Sequence, residues 1–194
     1  MHTNPLLQKL TFLHEIDRLK SVIRQSPLLD RSRKENSAEH SWHLAMYALL
    51  LQDYAVGVVD ANRVIKMLLL HDIVEVDVGD TPLHSSASPN DQYRAEMQAA
   101  SRLFGLLPAP ESSELLALWQ EFEEAKSEDA KFAKALDRVQ PLLVNVMTGG
   151  GTWNDHGVSL EFVLQRYGPT IQRGSPVLWE LCEQLVQQHF DASQ

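Results

Sequence analysis

The run His71-Asp72-Ile73-Val74-Glu75-Val76-Asp77-Val78-Gly79-Asp80 sets ionisable side chains directly behind an apolar stretch, Val64-Ile65-Lys66-Met67-Leu68-Leu69-Leu70. That stretch reads as a buried helix, and a His or Asp beside it is costly to bury unless each finds a partner. A divalent metal suits both. Imidazole nitrogen and carboxylate oxygen are metal-ligand atoms, and adjacent helical positions about 100° apart can converge on an ion between them. Glu75 lies four residues past His71 and three past Asp72, so on a helix it shares their face and aims a third group near such an ion. Taken alone, a His-Asp dipeptide is common, and a satisfied histidine at a helix end is its usual explanation.

The elements that must position these residues read as helices throughout. Residues 6–25 carry Leu6, Leu10, Leu13, Ile16, Leu19 and Ile23 on one stripe before Pro27, which predicts a helix ending near Ser26. Arg24, near that end, is either a cation favoured by the helix dipole or an anion contact. Residues 30–37 form a polar linker, and Ser37-Ala38-Glu39-His40 opens a helix that runs to about Val59. His40 and His43 share a face of it, compatible with two ligands or with one ligand and one ordinary histidine.

Asp60 caps the helix that carries the opening motif, and Gly79-Asp80-Thr81-Pro82 stops it. A loop over residues 81–90 follows, a natural wall for a substrate site. Further helices are predicted over 91–107 and 112–126, then from Asp129, from about 158 to 166, and from Ser175-Pro176 to about His189. On the helix from Asp129, Asp137 follows the apolar Leu136 and could equally be solvated, while Pro141 should kink the helix or disturb its hydrogen bonds. Gly149-Gly150-Gly151 has no Lys-Ser/Thr after it, so it reads as a flexible loop rather than a phosphate loop. No strand pattern and no internal repeat is evident.

With 194 residues, 44% of them hydrophobic and 22% charged, the chain can fill one core, and residues 1–194 are expected to form a single domain. The first residues lack both the basic start and the uninterrupted apolar centre of a signal peptide, and no apolar run is of membrane-spanning length. A cytoplasmic protein without a membrane partner is the expectation. The net charge of −9 disfavours polymeric nucleic acid. The single cysteine, Cys182, sits in a helical pattern and reads as a buried structural thiol.

Four positions on predicted helices of an all-α chain, His40, the pair His71-Asp72, and Asp137, match the H…HD…D pattern of the HD-domain metal-dependent phosphohydrolases. The flanking residues resemble the 5'-deoxynucleotidase branch: Glu35-Asn36-Ser37-Ala38-Glu39-His40-Ser41, then HDxxE followed by Gly79-Asp80, then Ala130-Lys131-Phe132-Ala133-Lys134-Ala135-Leu136-Asp137. The similarity covers roughly residues 10–165. It implies an HD-domain helical bundle in which His40, His71, Asp72 and Asp137 hold one divalent transition-metal ion (Co, Mn, Zn, Ni or Fe). It leaves His43 a neighbour, gives Glu75 a catalytic role and has Arg24, Asp80 and Thr81 contact the substrate. It also implies a small nucleotide substrate and a homodimer. One departure concerns Arg24: the family's Arg-Trp-Pro is spaced here as Arg24-Gln25-Ser26-Pro27.

On this resemblance the expected activity is release of phosphate from deoxyribonucleoside 5'-monophosphates. The ion acidifies a water and offsets phosphoryl charge, Glu75 moves a proton, and Arg24, with Lys131 or Lys134, holds the remaining phosphate charge. The alternatives are an HD-type phosphodiesterase acting on another nucleotide, against which stands the lack of a GYP-type extension, and a non-catalytic protein that binds metal or nucleotide. A two-metal HD oxygenase needs more histidines between the HD pair and the last Asp than His84 alone.

Overall fold

The computed structural model describes residues 4–81 and 88–192. Its helices are α1 (Pro5–Ile16), α2 (Ser37–Leu51), α3 (Ala61–Leu70), α4 (Glu75–Val78), α5 (Pro89–Phe104), α6 (Glu111–Glu124), α7 (Glu128–Met147), α8 (Gly151–His156), α9 (Leu160–Gly174) and α10 (Pro176–Ala192). Apolar faces of α2, α3, α6, α7, α9 and α10 meet in one core cluster that includes Leu44, Met67, Phe122, Leu136, Ile171 and Trp179. α7 runs through its middle, with Phe132, Leu136, Val139 and Leu142 buried along it, and continues past Pro141 to Met147. A second cluster joins Phe12 and Leu19 to Ile73, Val74, Val76, α5 and Trp119. Among the described residues no helix is long and apolar enough to cross a membrane. Cys182 is buried, and burial pushes its thiol up to about 12, as a structural thiol should be.

The helix expected over residues 6–25 stops early. α1 ends at Ile16, a 3-10 turn covers Asp17–Ser21, and Ile23–Pro27 is a strand, β1, paired antiparallel with β2 (Lys34–Asn36). β1 escapes pattern reading because its inward positions are polar: alternation turns Arg24 and the buried Ser26 toward the body of the protein, and Ile23 and Gln25 outward. The apolar stripe is likewise corrected. Leu6, Leu10 and Leu13 are 64%, 53% and 57% exposed, and the buried anchors are Phe12 and Leu19.

Local chemistry sets the other boundaries. The cap of α2 is Asn36 rather than Ser37: Asn36 Oδ1 accepts from the Glu39 amide at 3.0 Å, and a Glu39 carboxylate oxygen accepts from the Asn36 amide at 3.2 Å. α2 ends at Leu51, not near Val59. Asp60 caps α3 as expected, its carboxylate accepting from the Asn62 and Arg63 amides. The Gly149–Gly151 segment is a tight turn, with φ of 70°, 106° and 41°, that launches the unexpected α8. α9 extends to Gly174 through Pro169, well past residue 166. The loop expected over 81–90 falls largely outside the described residues.

Candidate metal and phosphoryl site

The opening motif straddles the two clusters. α3 ends at Leu70, and His71–Val74 tighten into a 3-10 turn before α4. Ile73, Val74 and Val76 face the second cluster, which leaves His71, Asp72 and Glu75 to line a cavity together with Asp80, Thr81 and Asp137. Hence the three motif residues converge, although not on the single regular helix expected. Trp119 Nε1 donates to the His71 carbonyl at 3.1 Å, and the His71 ring meets Phe122 edge-on at 5.0 Å. These contacts fix the turn.

His40, on α2, and Asp137, on α7, arrive from elsewhere in the chain. His40 Nε2 lies 3.2 Å from Asp137 Oδ1, and His71 Nε2 lies 3.6 Å from the same oxygen and 2.9 Å from Asp72 Oδ1. Donor atoms of His40, His71 and Asp72 all fall within 4.8 Å of one another. Such a His-His-Asp cluster can hold a divalent metal.

The orientation of both rings fits that use. His71 Nδ1 faces the Leu68 carbonyl at 2.8 Å, an acceptor only, so Nδ1 carries the proton there. His40 Nδ1 faces Gln140 Oε1 at 3.1 Å, and Gln140 Nε2 in turn donates to Glu35 Oε1 at 3.2 Å. Each Nε2 is thereby turned into the cluster, and His71 Nε2 is buried among carboxylates, 2.9 Å from Asp72 Oδ1 but without a well-aligned hydrogen bond. A carbonyl or amide oxygen holding the far nitrogen is the arrangement that fixes a ligating imidazole. His43 stands outside the cluster, 3.5 Å from Gln140 Nε2 and against Tyr47.

Charge in the cavity is unequally distributed. Burial works against a charged His71, but the Asp72 carboxylate and contacts to Asp137 outweigh it and push the ring up to about 10. Burial also works against Asp72, yet the His71 and Arg24 charges hold it at about 2. Burial works against a charged Asp137, but the Arg138 charge and the nearby His40 and His71 rings hold it well below the usual carboxylate range. Glu75 goes the other way: burial, then the Asp72 charge, push it up to about 9 against the pull of Arg24 and of the Ser37 hydroxyl. That hydroxyl donates to Glu75 Oε2 at 2.5 Å. It is free to do so because Asn36 took over the cap of α2. Burial raises Asp80 as well.

Arg24 lies in the site, on β1, with Nη1 3.0 Å from Asp72 Oδ2 and 3.5 Å from Asp80 Oδ1. Lys134 lines the cavity, whereas Lys131 pairs outside it with Glu128 at 2.8 Å. Sequence reasoning missed Glu35, Ser37, Arg138 and Gln140 as site residues. A spacing clue existed for Gln140, three residues past Asp137 on one face of α7; for Glu35, on β2, there was none.

A buried helical frame that brings His40, His71, Asp72 and Asp137 together is that of a helical protein able to hold a divalent metal. The HD domain family model matches residues 16–179, and the chain belongs to that family. A crystal structure described as a predicted metal-dependent phosphohydrolase from Magnetospirillum magnetotacticum MS-1 is 48% identical, with a TM-score of 0.90 and 96% of each chain covered. The 5'-deoxynucleotidase HDDC2 of Mus musculus is 32% identical over 135 residues, 69% of this chain and 66% of that protein. Its counterpart from Bos taurus is also 32% identical, with 69% and 64% covered. The chain thus spans just under two thirds of the length of these curated relatives.

Proposed function

We propose that the protein is a metal-dependent phosphomonoester hydrolase that releases phosphate from deoxyribonucleoside 5'-monophosphates. The observation that carries this reading is the buried His71 Nε2 set 2.9 Å from Asp72 Oδ1 and 3.6 Å from Asp137 Oδ1, beside a carboxyl, Glu75, pushed up to about 9. His40, His71, Asp72 and Asp137 are the proposed ligands of one divalent transition ion. When bound, that ion supplies Lewis acidity, polarising a phosphoryl oxygen and acidifying water. The likeness to the phosphohydrolase and to the deoxynucleotidases supports the reaction class and the substrate.

The chain's own residues do the rest. Gln140 and Leu68 hold the two imidazoles in one tautomer, and Arg24 offsets the crowded charges of Asp72 and Asp80. Glu75, aligned by Ser37, gives its proton to the leaving 5'-oxygen as the P–O bond breaks and water adds to phosphorus. A proton from that water restores Glu75. Asp80 and Thr81, on the cavity wall, contact the substrate. A homodimer is part of the same proposal and rests on the family likeness alone.

The test is phosphate release from a panel of nucleotides by chelated and metal-reloaded protein. Ion-dependent release from deoxynucleoside monophosphates is expected. Activity confined to cyclic or diester nucleotides, or nucleotide binding without turnover, would replace this reading.

A further inference from the structure

Arg24 is the obvious cation for a substrate phosphate, but its Nη1 is held among carboxylates and its buried Nε, though without a hydrogen-bond partner, is turned toward Glu35. Its Nη1 faces Asp72, Asp80 and Glu75 at 3.0, 3.5 and 4.0 Å, its Nε lies 3.7 Å from Glu35 Oε2, and its side chain is 13% exposed. Lys134 is committed as well, 3.0 Å from Glu123 Oε1 and 4.0 Å over the Phe122 ring. Arg138 differs from both. Among the described residues its ion pair is with Asp137 Oδ2 at 3.5 Å, too long for a good hydrogen bond, and 29% of its side chain is exposed. Like Arg24, Asp80 and Thr81, it borders two cavities: the one lined by His71, Asp72 and Asp137, and a neighbouring one lined by Asn145, Thr152 and Tyr167.

We infer that Arg138 grips the substrate's phosphate and selects a terminal phosphate over a diester. This rests on the phosphohydrolase reading above and names the residue that sets its substrate class. A guanidinium presents N–H groups in a rigid fork that matches a pair of phosphate oxygens. A monoester has three non-bridging oxygens, so one directed at the His-Asp cluster leaves two for the fork. A diester leaves one. Standing on the wall of the first cavity, Arg138 reaches a phosphate held beside the His-Asp cluster. Asp137, the preceding residue on α7, positions it without spending its donors.

The experiment compares wild type, Arg138→Gln and Arg138→Lys, each loaded with metal, with metal content and thermal stability checked. Binding of inorganic phosphate and of dimethyl phosphate is measured by calorimetry, alongside KM and kcat for a deoxynucleoside monophosphate. Arg138→Gln is expected to weaken inorganic phosphate about 10–100-fold, the usual loss for a charged hydrogen-bond pair, while dimethyl phosphate changes little. KM should rise by a similar factor, kcat should fall less, and Arg138→Lys should recover part of the phosphate affinity without restoring the preference over the diester. Equal weakening of both probes, or loss of the metal, would show that Arg138 only steadies Asp137 and overturns the inference. Unchanged phosphate affinity in Arg138→Gln overturns it too. Phosphate binding that needs Arg138 in a protein that turns over no nucleotide would instead sink the phosphohydrolase reading and leave the inference standing.

Discussion

Raising the pH should tighten metal binding with a slope set by His71. In the ion-free protein the His71 ring is pushed up to about 10, so at neutral pH its Nε2 carries a proton where an ion would bind. Asp72, at about 2, and Asp137, lower than usual, have already lost theirs. Loading one ion therefore expels one proton from His71, and the apparent affinity should rise about tenfold, or about 1.4 kcal/mol, per pH unit. Between about pH 6 and about pH 8 the gain is about a hundredfold. Calorimetry in buffers of different ionisation enthalpy reads both the affinity and the protons released. The same linkage acts on stability without metal. Because the folded pKa of His71 exceeds its ordinary 6.5, its contribution is fully present below about 6.5 and is lost as pH rises through about 10. The raised Glu75 acts in the same direction between its ordinary 4.5 and about 9. The Tm of ion-free protein should thus fall from neutral to alkaline pH. A flat affinity with no proton release would refute the argument for His71, and two protons per ion would mean that Glu75 surrenders its proton too.

Glu75→Gln should keep metal and nucleotide affinity while kcat falls by about 10²–10⁴, since only a proton transfer in the transition state is lost; unchanged kcat removes Glu75 from the mechanism. Gln140→Leu removes the acceptor that holds His40 Nδ1, and metal affinity should drop about 10–100-fold in a competition titration, with an unchanged value showing that the ring is oriented by packing alone. On α1, Phe12→Ala should cost about 3–5 kcal/mol in urea unfolding, whereas the exposed Leu10 should tolerate polar substitution within about 0.5 kcal/mol; the reverse order would restore the leucine stripe as the buried face.

The sequence made the helices legible where an apolar stripe was long and faced the interior, as in α7 and α10. Residues of the H…HD…D pattern and its flanks are brought together by the fold: His71, Asp72, Glu75, Asp80 and Asp137 line one cavity, and His40 lies against Asp137. The sequence misled where exposure and periodicity parted company. Leu6, Leu10 and Leu13 keep helical spacing yet face outward, and spacing cannot report which side of a helix is covered. β1 was invisible because a strand that turns Arg24 and Ser26 inward carries no apolar alternation. The supporting partners were hidden for another reason. Glu35 and Gln140 are 105 residues apart, and only folding places their side chains 3.2 Å from one another behind His40.

The central claim, that two distant carboxylates complete a catalytic ion site, is tested most directly by Asp137→Ala, whose removed carboxylate lies 3.2 Å from His40 Nε2 and 3.6 Å from His71 Nε2. Metal per chain and phosphate release from a deoxynucleoside monophosphate should be measured on the same preparations of variant and wild type. The account predicts one ion per wild-type chain with ion-dependent turnover, and loss of both in the variant. Full metal content with full turnover in Asp137→Ala would contradict it.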